Sequence, residues 1–261
     1  MTQYKRWNAL LDMVAADGQL TIGDAAHMLR VSPATIRRDL EQLAQQQMVV
    51  RTRGGAVANG VSYDLPLRYK TARHTTEKER IGRAAAALVT AGATVALNGG
   101  TTSSEVARAL ATRADLQRAD QAPTLTMVTN ALNIATEMAV RQHIKIVLTG
   151  GVARGQSYEL IGPLATLVLA ELRFDWAILG VDALDAVTGA SAKNEGEASI
   201  NQIMADRADQ VVIVADSSKL GQRAFARICS PERIDVLVTD SGVTDAAVTR
   251  FAERAIRVII A

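Results

Sequence analysis

The sequence has one cysteine, three histidines and no long apolar run, and each shortage excludes a class of protein. Cys229 alone forms no internal disulfide, and together with the scattered histidines it lacks the spacing of a zinc site. No uncharged apolar run approaches the roughly eighteen residues that cross a bilayer, and the N-terminal segment lacks the apolar stretch of a signal peptide. We therefore expect a cytoplasmic protein without a disulfide, a metal or membrane contact.

The composition is that of a globular chain large enough for two domains. Its 261 residues are 48% apolar and 21% charged, as in ordinary folded proteins. The net charge of +2 is unevenly distributed along the chain, because residues 1–60 hold seven basic and five acidic side chains and the rest hold twenty-two of each. Five arginines and two acidic residues lie within 30–55. This local excess is expected of nucleic-acid binding, although solvated charged faces show it too.

Three short helices and a hairpin are predicted in the first sixty residues. Apolar spacing predicts a helix over about 4–16, Thr21 caps a second helix, and Ser32 caps a third with Pro33 at its first position. A strand, a glycine turn and another strand follow over 48–57. The third helix faces its core through positions i, i+4 and i+7, which are Ile36, Leu40 and Leu43.

This order of elements is that of a winged helix-turn-helix, whose third helix enters the major groove by its N-terminal residues. Thr35, Arg37 and Arg38 are expected to contact bases or phosphates, and Arg51 and Arg53, on one side of the wing strand, the backbone or minor groove. The full predicted DNA-binding set is Ser32, Ala34, Thr35, Arg37, Arg38, Arg51 and Arg53. The alternative is a small helical segment that covers part of an enzyme, with its arginines merely solvated. Single-stranded nucleic acid is disfavoured because 30–55 contains no aromatic residue for stacking.

The chain beyond this domain predicts a linker and then a parallel sheet. Residues 59–76 are polar and irregular, which predicts a linker. The two predicted domains are then 1–58 and 77–261. Apolar runs rich in Val and Ile alternate with amphipathic helices, which is typical of a Rossmann-like α/β sheet covered on both faces. The predicted strands are 94–98, 125–129, 144–149, 176–181, 210–215, 234–239 and 256–260, and the predicted helices are 77–90, 101–112, 131–141, 163–172, 194–208 and 244–253.

Ligands of such sheets bind beyond the carboxyl ends of the strands, so the residues after each run are the candidates. A glycine pair and hydroxyls at 99–104 open a helix, and free N–H groups at a helix N-terminus favour an anion such as phosphate. Neither a Walker loop nor a G-x-G-x-x-G motif is present, so no nucleotide cofactor is expected. The predicted set is Asn98, Gly100, Thr101, Thr102, Thr129, Asn130, Gly150, Gly151, Asp182, Asn194, Glu195, Glu197 and, as counter-charge, Lys219. Each residue alone could equally cap a helix or shape a turn.

Two sets of motifs resemble the DeoR family of transcriptional regulators. The first set is Leu20-Thr21, Val31-Ser32, Thr35-Ile36-Arg37-Arg38-Asp39-Leu40 and Gly54-Gly55-Ala56, and the second is Gly100-Thr101-Thr102, Gly150-Gly151, Gly180-Val181-Asp182 and Ala215-Asp216-Ser217-Ser218-Lys219. The resemblance implies a sequence-specific repressor of a carbohydrate operon, controlled by a phosphorylated sugar, acting as a homo-oligomer on double-stranded operator DNA. It also implies a sensing domain similar in fold to ribose-5-phosphate isomerase. The sequence departs from the family pattern at Gln47, Arg53 and Asn98, where glycine, histidine and aspartate are usual.

A rival hypothesis is a sugar-phosphate isomerase with a DNA-binding appendage. Asp182, Asp185, Glu195 and Lys219 are residue types that perform acid-base chemistry. Sensing is the preferred interpretation, and no enzyme activity is expected. The sequence leaves open the identity of the sugar phosphate, the operator, the direction of the response, and dimer against tetramer.

Overall fold

The computed structural model describes residues 1–45, 48–58, 74–117 and 123–261. The chain divides into two compact units, Met1–Arg73 and His74–Ala261, each treated by itself below. The predicted linker at 59–76 lies almost wholly outside the described residues, as does Gln47.

The first unit is a helical bundle with a three-stranded antiparallel wing. Its elements are α1 Gln3–Asp17, β1 Gln19–Thr21, α2 Ile22–Leu29, α3 Pro33–Gln45, β2 Val49–Arg51 and β3 Gly55–Ala58. The three predicted helices and the hairpin are confirmed. Strand β1 was not foreseen: it pairs with β3, so the sheet order is β1-β3-β2. Gly55 is required there, because a Cβ at this position would lie 1.8 Å from the Leu20 carbonyl oxygen.

Capping and apolar spacing explain the helices of the first unit. The Thr21 hydroxyl accepts the Asp24 N–H at 3.1 Å, and the Ser32 hydroxyl accepts the Thr35 N–H at 3.2 Å. The predicted core positions of α3 are fully buried against α1, and each such side chain contributes about 1.5–3 kcal/mol by burial. On α2, Ala25 and Ala26 are buried, whereas Met28 is 63% exposed.

The second unit is an α/β layer structure, which confirms the predicted class. Its helices are α4 Thr75–Ala86, α5 Thr101–Thr112, α6 Leu132–Met138, α7 Pro163–Ala170, α8 Glu195–Asp206 and α9 Asp245–Ala252. Its strands are β4 Thr94–Leu97, β5 Leu125–Thr129, β6 Ile144–Leu148, β7 Val152–Arg154, β8 Glu159–Ile161, β9 Phe174–Gly180, β10 Ala183–Asp185, β11 Gly189–Ala192, β12 Ala208–Val214, β13 Ala226–Cys229, β14 Val236–Thr239 and β15 Arg257–Ile260.

Seven strands form one parallel sheet in the order β15-β14-β12-β9-β4-β5-β6. Two apolar clusters cover its two faces, as expected for strands that are apolar on both sides. Along the chain, β4 is the first strand of this sheet. Strands β5 and β6 are added on one side of β4, and β9 then pairs with β4 on its other side. The order of strands therefore reverses between β4 and β9, and this switch point is where ligands bind in open parallel sheets.

Two small antiparallel sheets accompany the main sheet and were not predicted. Strands β7 and β8 form a hairpin, and β10, β11 and β13 form a three-stranded sheet. Each of these strands has only three or four residues, too few to show a period of two. The β7–β8 hairpin follows the carboxyl end of β6, strands β10 and β11 follow that of β9, and β13 comes after β12, so both sheets contribute residues to that edge.

Candidate functional site

The N-terminal turns of α3 present a polar, basic surface. The hydroxyls of Ser32 and Thr35 lie 2.9 Å apart at the start of the helix. Ala34, Arg37 and Arg38 are exposed, while the opposite side of the helix is buried. The surface therefore has the shape and charge of a recognition helix for the major groove.

The wing places its two arginines differently. Arg51 ends β2 half-buried, and its Nη1 donates to the Gly55 carbonyl at 2.8 Å, so it braces the wing turn. Arg53 lies beyond β2 and is exposed. The expectation of one strand carrying both side chains on the same side is wrong, because the strand ends at Arg51 to allow the turn. Arg53 is the better placed of the two to reach a phosphate.

Asp39 is buried and paired with a basic side chain, which a count of charges along the sequence does not show. It is 1% exposed and accepts hydrogen bonds from Arg6 Nε, from Arg6 Nη2 at 3.0 Å and from the indole N–H of Trp7 at 2.9 Å. These contacts tie α1 to α3, and the Asp39 hydrogen bond raises the pKa of Arg6. Because Arg6 compensates its charge, Asp39 removes nothing from the basic surface of α3.

A side-chain bridge spans the switch point of the second unit. Asn98 follows β4 and is 2% exposed; its Nδ2 donates to the Gly180 carbonyl at 2.8 Å, and its Oδ1 accepts the Gly180 N–H at 2.8 Å. The Ser103 hydroxyl also donates to Oδ1, at 2.9 Å. Both polar atoms of Asn98 are thus engaged within the protein. The structure gives Asn98 a bridging position between β4 and β9, and its contact with a ligand stays a prediction.

Helix α5 begins at the switch point with an uncapped N-terminus. Its N-cap is Gly100, with φ of 109°, and no side chain caps the helix. A Cβ at Gly100 would meet open space, and Thr101 is half-buried behind it. The N–H groups of the first turn have no partner inside the helix, and the helix dipole adds a partial positive charge there. This end of α5 is suited to an anion.

Neighbouring strand ends add polar groups at the same edge of the sheet. Asn130, after β5, is fully buried, and its Oδ1 has no hydrogen-bond partner among the described residues. The Thr129 hydroxyl accepts the Ala131 N–H at 3.1 Å and so shapes the turn into α6. Gly150 and Gly151, with φ of 74° and 122°, turn the chain from β6 into the β7–β8 hairpin.

A buried acid pair lies beside the glycine loop and was missed from sequence. Glu159 Oε1 accepts the Gly99 N–H at 2.9 Å, and Glu159 also hydrogen-bonds to Glu197. Arg154 Nη1 donates to Glu197 Oε1 at 3.0 Å. Burial first, and then the charge of Glu197, raise the pKa of Glu159 to about 8. Glu197, a member of the predicted effector set, belongs to this internal network, and its contact with a ligand stays a prediction.

The remaining predicted residues line the edge beyond β9 and β12. Asp182 accepts the Lys193 N–H at 2.9 Å, and Asn194 caps α8 by accepting the Glu197 N–H at 3.1 Å. Glu195 is exposed at the first turn of α8. Lys219 is half-buried on a 3-10 helix, Ser217–Lys219, that follows β12.

Hydrogen bonds join only part of the predicted set. They connect the loop after β4 to β9, β5 and the β7–β8 hairpin, and they connect Asn194 to the network around Glu197. Thr102 and Lys219 share the edge, and among the described residues no hydrogen bond joins them to that network. Glu159 lies sixty residues from Gly99 in the chain, so no local spacing could have indicated the pair.

Within residues 1–45, 48–58, 74–117 and 123–261, no helix is long and apolar enough to span a membrane. The same residues contain no group of three or more side chains arranged to hold a metal ion.

Family models match both units. Residues 6–60 match the DeoR-like helix-turn-helix domain, and residues 73–241 match the DeoR C terminal sensor domain.

Curated relatives align over nearly the whole chain. The Glycerol-3-phosphate regulon repressor of Escherichia coli K12 is 31% identical over 92% of this chain and 92% of its own length. The HTH-type transcriptional regulator GlpR of Haloferax volcanii is 33% identical over 94% and 92%. The HTH-type transcriptional repressor GlcR of Bacillus subtilis is 32% identical over 92% and 89%.

Among solved structures, ribose 5-phosphate isomerase A of Methanocaldococcus jannaschii overlaps with a TM-score of 0.41 at 20% identity. The overlap covers 56% of this chain and 55% of the isomerase, so the chain spans about half of that enzyme. A partial overlap of this quality assigns no activity.

Proposed function

Because the chain belongs to the DeoR family of transcriptional regulators, we propose that it represses a carbohydrate-metabolism operon from the cytoplasm and that a phosphorylated sugar controls its hold on the operator. The observation that carries the second part is the uncapped N-terminus of α5 at the switch point of the sheet. Named repressors of the glycerol-3-phosphate regulon and related regulators align over more than nine-tenths of the chain.

The basic surface of α3 is assigned to operator DNA. In this assignment Arg37 and Arg38 read bases or hold phosphates, Thr35 and Ala34 approach base edges, and Ser32 meets a phosphate. Their exposure at the N-terminal end of a helix packed by Ile36, Leu40 and Leu43 supports it. Arg53 holds the backbone or minor groove, and Arg51 contributes mainly by bracing the wing.

The DNA assignment is tested on fragments that the purified protein selects from a random library. Arg38→Ala is expected to weaken binding by about 1–3 kcal/mol and to relax selectivity at one base position. Arg250→Ala, which removes an arginine of α9 in the other unit, is the control and should bind as the wild type does. Unchanged affinity of Arg38→Ala would remove Arg38 from the interface.

The edge beyond β4, β9 and β12 is assigned to the effector. The phosphate is placed on the N–H groups and hydroxyls of Thr101 and Thr102, with Lys219 as counter-charge. Asp182, Glu195 and Asn194 are placed around the sugar hydroxyls, and Gly150 and Gly151 let the backbone come close. The buried, unpartnered Oδ1 of Asn130 supports a polar ligand at this edge.

The effector assignment is tested by thermal shift with glycerol 3-phosphate, ribose 5-phosphate and glucose 6-phosphate, each beside its unphosphorylated counterpart. A phosphorylated compound is expected to raise the melting temperature of the second unit, since ligands that bind only the native state stabilise it. Lys219→Met should weaken that compound about tenfold or more, and the exposed Lys145→Met should not. Stabilisation by an unphosphorylated compound alone would refute the phosphate site.

The homo-oligomer is the remaining part of the proposal. One recognition helix reads only a few base pairs, and symmetric pairs on successive major grooves are the usual way to gain specificity. The exposed apolar side chains of α7, namely Leu164, Leu167 and Val168, support an interface between copies. Light scattering tests it, and a monomer at micromolar concentration that still binds selected DNA tightly would contradict it.

The isomerase hypothesis receives less support from the geometry. Burial disfavours the charged form of Asp185, but hydrogen bonds from Thr188 and Val187 and the charge of Arg223 outweigh burial and lower its pKa. Its carboxylate therefore shapes a turn, and Asp182 is held by a backbone N–H. Incubation with ribose 5-phosphate decides the question, because measurable isomerisation would restore the enzyme hypothesis.

A further inference from the structure

Glu159 joins four elements around the proposed phosphate loop. It lies at the start of β8, accepts the Gly99 N–H at 2.9 Å and the Asn130 Nδ2–H at 3.3 Å, and hydrogen-bonds to Glu197 in the first turn of α8. Arg154, its cross-strand neighbour in the β7–β8 hairpin, pairs with Glu197 at 3.0 Å. One carboxyl group thus links the loop after β4, the end of β5, the hairpin and α8.

The contact between Glu159 and the loop is close and buried. Glu159 is 4% exposed. A Cβ at Gly99 would lie 2.4 Å from Glu159 Cγ and 2.7 Å from Cδ, so the carboxyl group packs directly on the loop backbone. Only glycine leaves room for it there. Gly99 precedes the N-cap of α5 by one residue, so Glu159 supports the turn that aims the N–H groups of the helix.

The charge balance of the network favours a proton on Glu159. The charged groups facing it among the described residues are Glu197 and, through Glu197, Arg154; the loop offers an N–H and β5 an amide. Arg154 compensates one of the two acids. Burial and then Glu197 raise the pKa of Glu159 to about 8, against the opposing hydrogen bonds from Gly99 and Asn130. Near neutral pH, Glu159 is therefore neutral and donates to Glu197.

We propose that Glu159 is a positioning residue of the anion site: its buried carboxyl group holds the Gly99–Thr102 turn in place through the Gly99 N–H. This inference rests on the proposed function. An ionised Glu159 beside Gly99 would repel a phosphate dianion at the N-terminus of α5, and buried charges are weakly screened. Anion affinity should therefore fall as the pH rises through the range in which Glu159 loses its proton.

The first experiment measures the affinity for glycerol 3-phosphate and ribose 5-phosphate by calorimetry between pH 7 and 9.5, where phosphate monoesters are already dianions. The wild type should bind about tenfold more weakly at the upper end. Glu159→Gln keeps the acceptor for Gly99 and a donor for Glu197, so it should bind as the wild type does at pH 7 and lose the pH dependence. Glu159→Ala should lose affinity at every pH, and the exposed Glu253→Gln should behave as the wild type.

A second experiment separates this inference from the proposed function. Hydrogen exchange of the Gly99 amide, corrected for intrinsic rates, needs no ligand. Protection should persist in Glu159→Gln and Glu253→Gln and disappear in Glu159→Ala. If no phosphate monoester binds the wild type, the effector assignment fails, and Gly99 protection still decides the role of Glu159. Unchanged protection in Glu159→Ala, or the same pH profile in Glu159→Gln as in the wild type, would overturn the inference; if Glu159→Ala does not fold, Glu159→Gln decides.

Discussion

The buried Asp39 is expected to decide whether the DNA-reading unit folds. Asp39→Ala leaves the Arg6 guanidinium, whose side chain is 12% exposed, and the Trp7 indole N–H without their acceptor. Removing one partner of a buried ion pair costs about 3–5 kcal/mol. A unit of this size has a total stability of roughly 3–9 kcal/mol at 0.05–0.15 kcal/mol per residue. The substitution should therefore remove between about one third and all of the stability of the first unit.

Calorimetry of the full chain measures this loss, since the two compact units should unfold separately. The transition of the first unit should fall by about 12–40 °C, at 4–8 °C per kcal/mol for a small domain, while the transition of the sensor unit stays in place. Glu41→Ala, an exposed acid two residues along the same helix, is the matched control. The combined Arg6→Met and Asp39→Leu substitution should recover most of the loss, because no charge is left buried. If Asp39→Ala shifted the transition temperature as little as Glu41→Ala does, the proposed stabilising contact between α1 and α3 through Asp39 would be refuted.

Three further outcomes follow from the contacts at the switch point. Asn98→Asp should lower the stability of the sensor unit by about 1–3 kcal/mol in urea unfolding, because the Gly180 carbonyl loses its donor; equal stability would refute the bridge. Gly99→Ala should cost about 1–3 kcal/mol by overpacking against Glu159, whereas Gly155→Ala, where a Cβ meets open space, should be tolerated. The folded state keeps a proton on Glu159 that the unfolded chain releases, so stability should decline from about pH 4.5 to about pH 8 by on the order of 1 kcal/mol per pH unit; Glu159→Gln should remove that slope, and an unchanged slope would contradict the protonation.

The DNA-reading unit was largely predictable because its signals are local. Thr21 and Ser32 cap helices within three residues of the groups they bind, and Ile36, Leu40 and Leu43 repeat at helical spacing. Asp39 was misjudged for the opposite reason. Its partner Arg6 lies 33 residues away, so a charge count over 30–55 treated a buried, compensated acid as part of the surface.

The sensor unit shows the same limit at the level of topology. Apolar runs rich in Val and Ile indicated parallel strands, but the reversal between β4 and β9 depends on which strands pair, and pairing is not local. The roles of Asn98 and Glu159 follow from that reversal, since their partners Gly180 and Gly99 lie 82 and 60 residues away. The polar residues that follow each strand indicated that a ligand would bind at the carboxyl edge of the sheet. They did not indicate which side chains there hold the backbone in place and which face a ligand.

In both units a carboxyl group lies near a surface proposed to bind phosphate, and in each its negative charge is offset by different chemistry. Asp39, on the helix assigned to DNA, is compensated by the guanidinium of Arg6, which stays charged at any pH at which the protein is folded. For Glu159, beside the loop assigned to the effector, burial and the charge of Glu197 raise the pKa and favour the protonated, neutral form. An ion pair with arginine survives alkaline pH, and a proton on a buried acid does not. Mildly alkaline conditions should therefore weaken the response to a phosphorylated effector while leaving DNA reading intact.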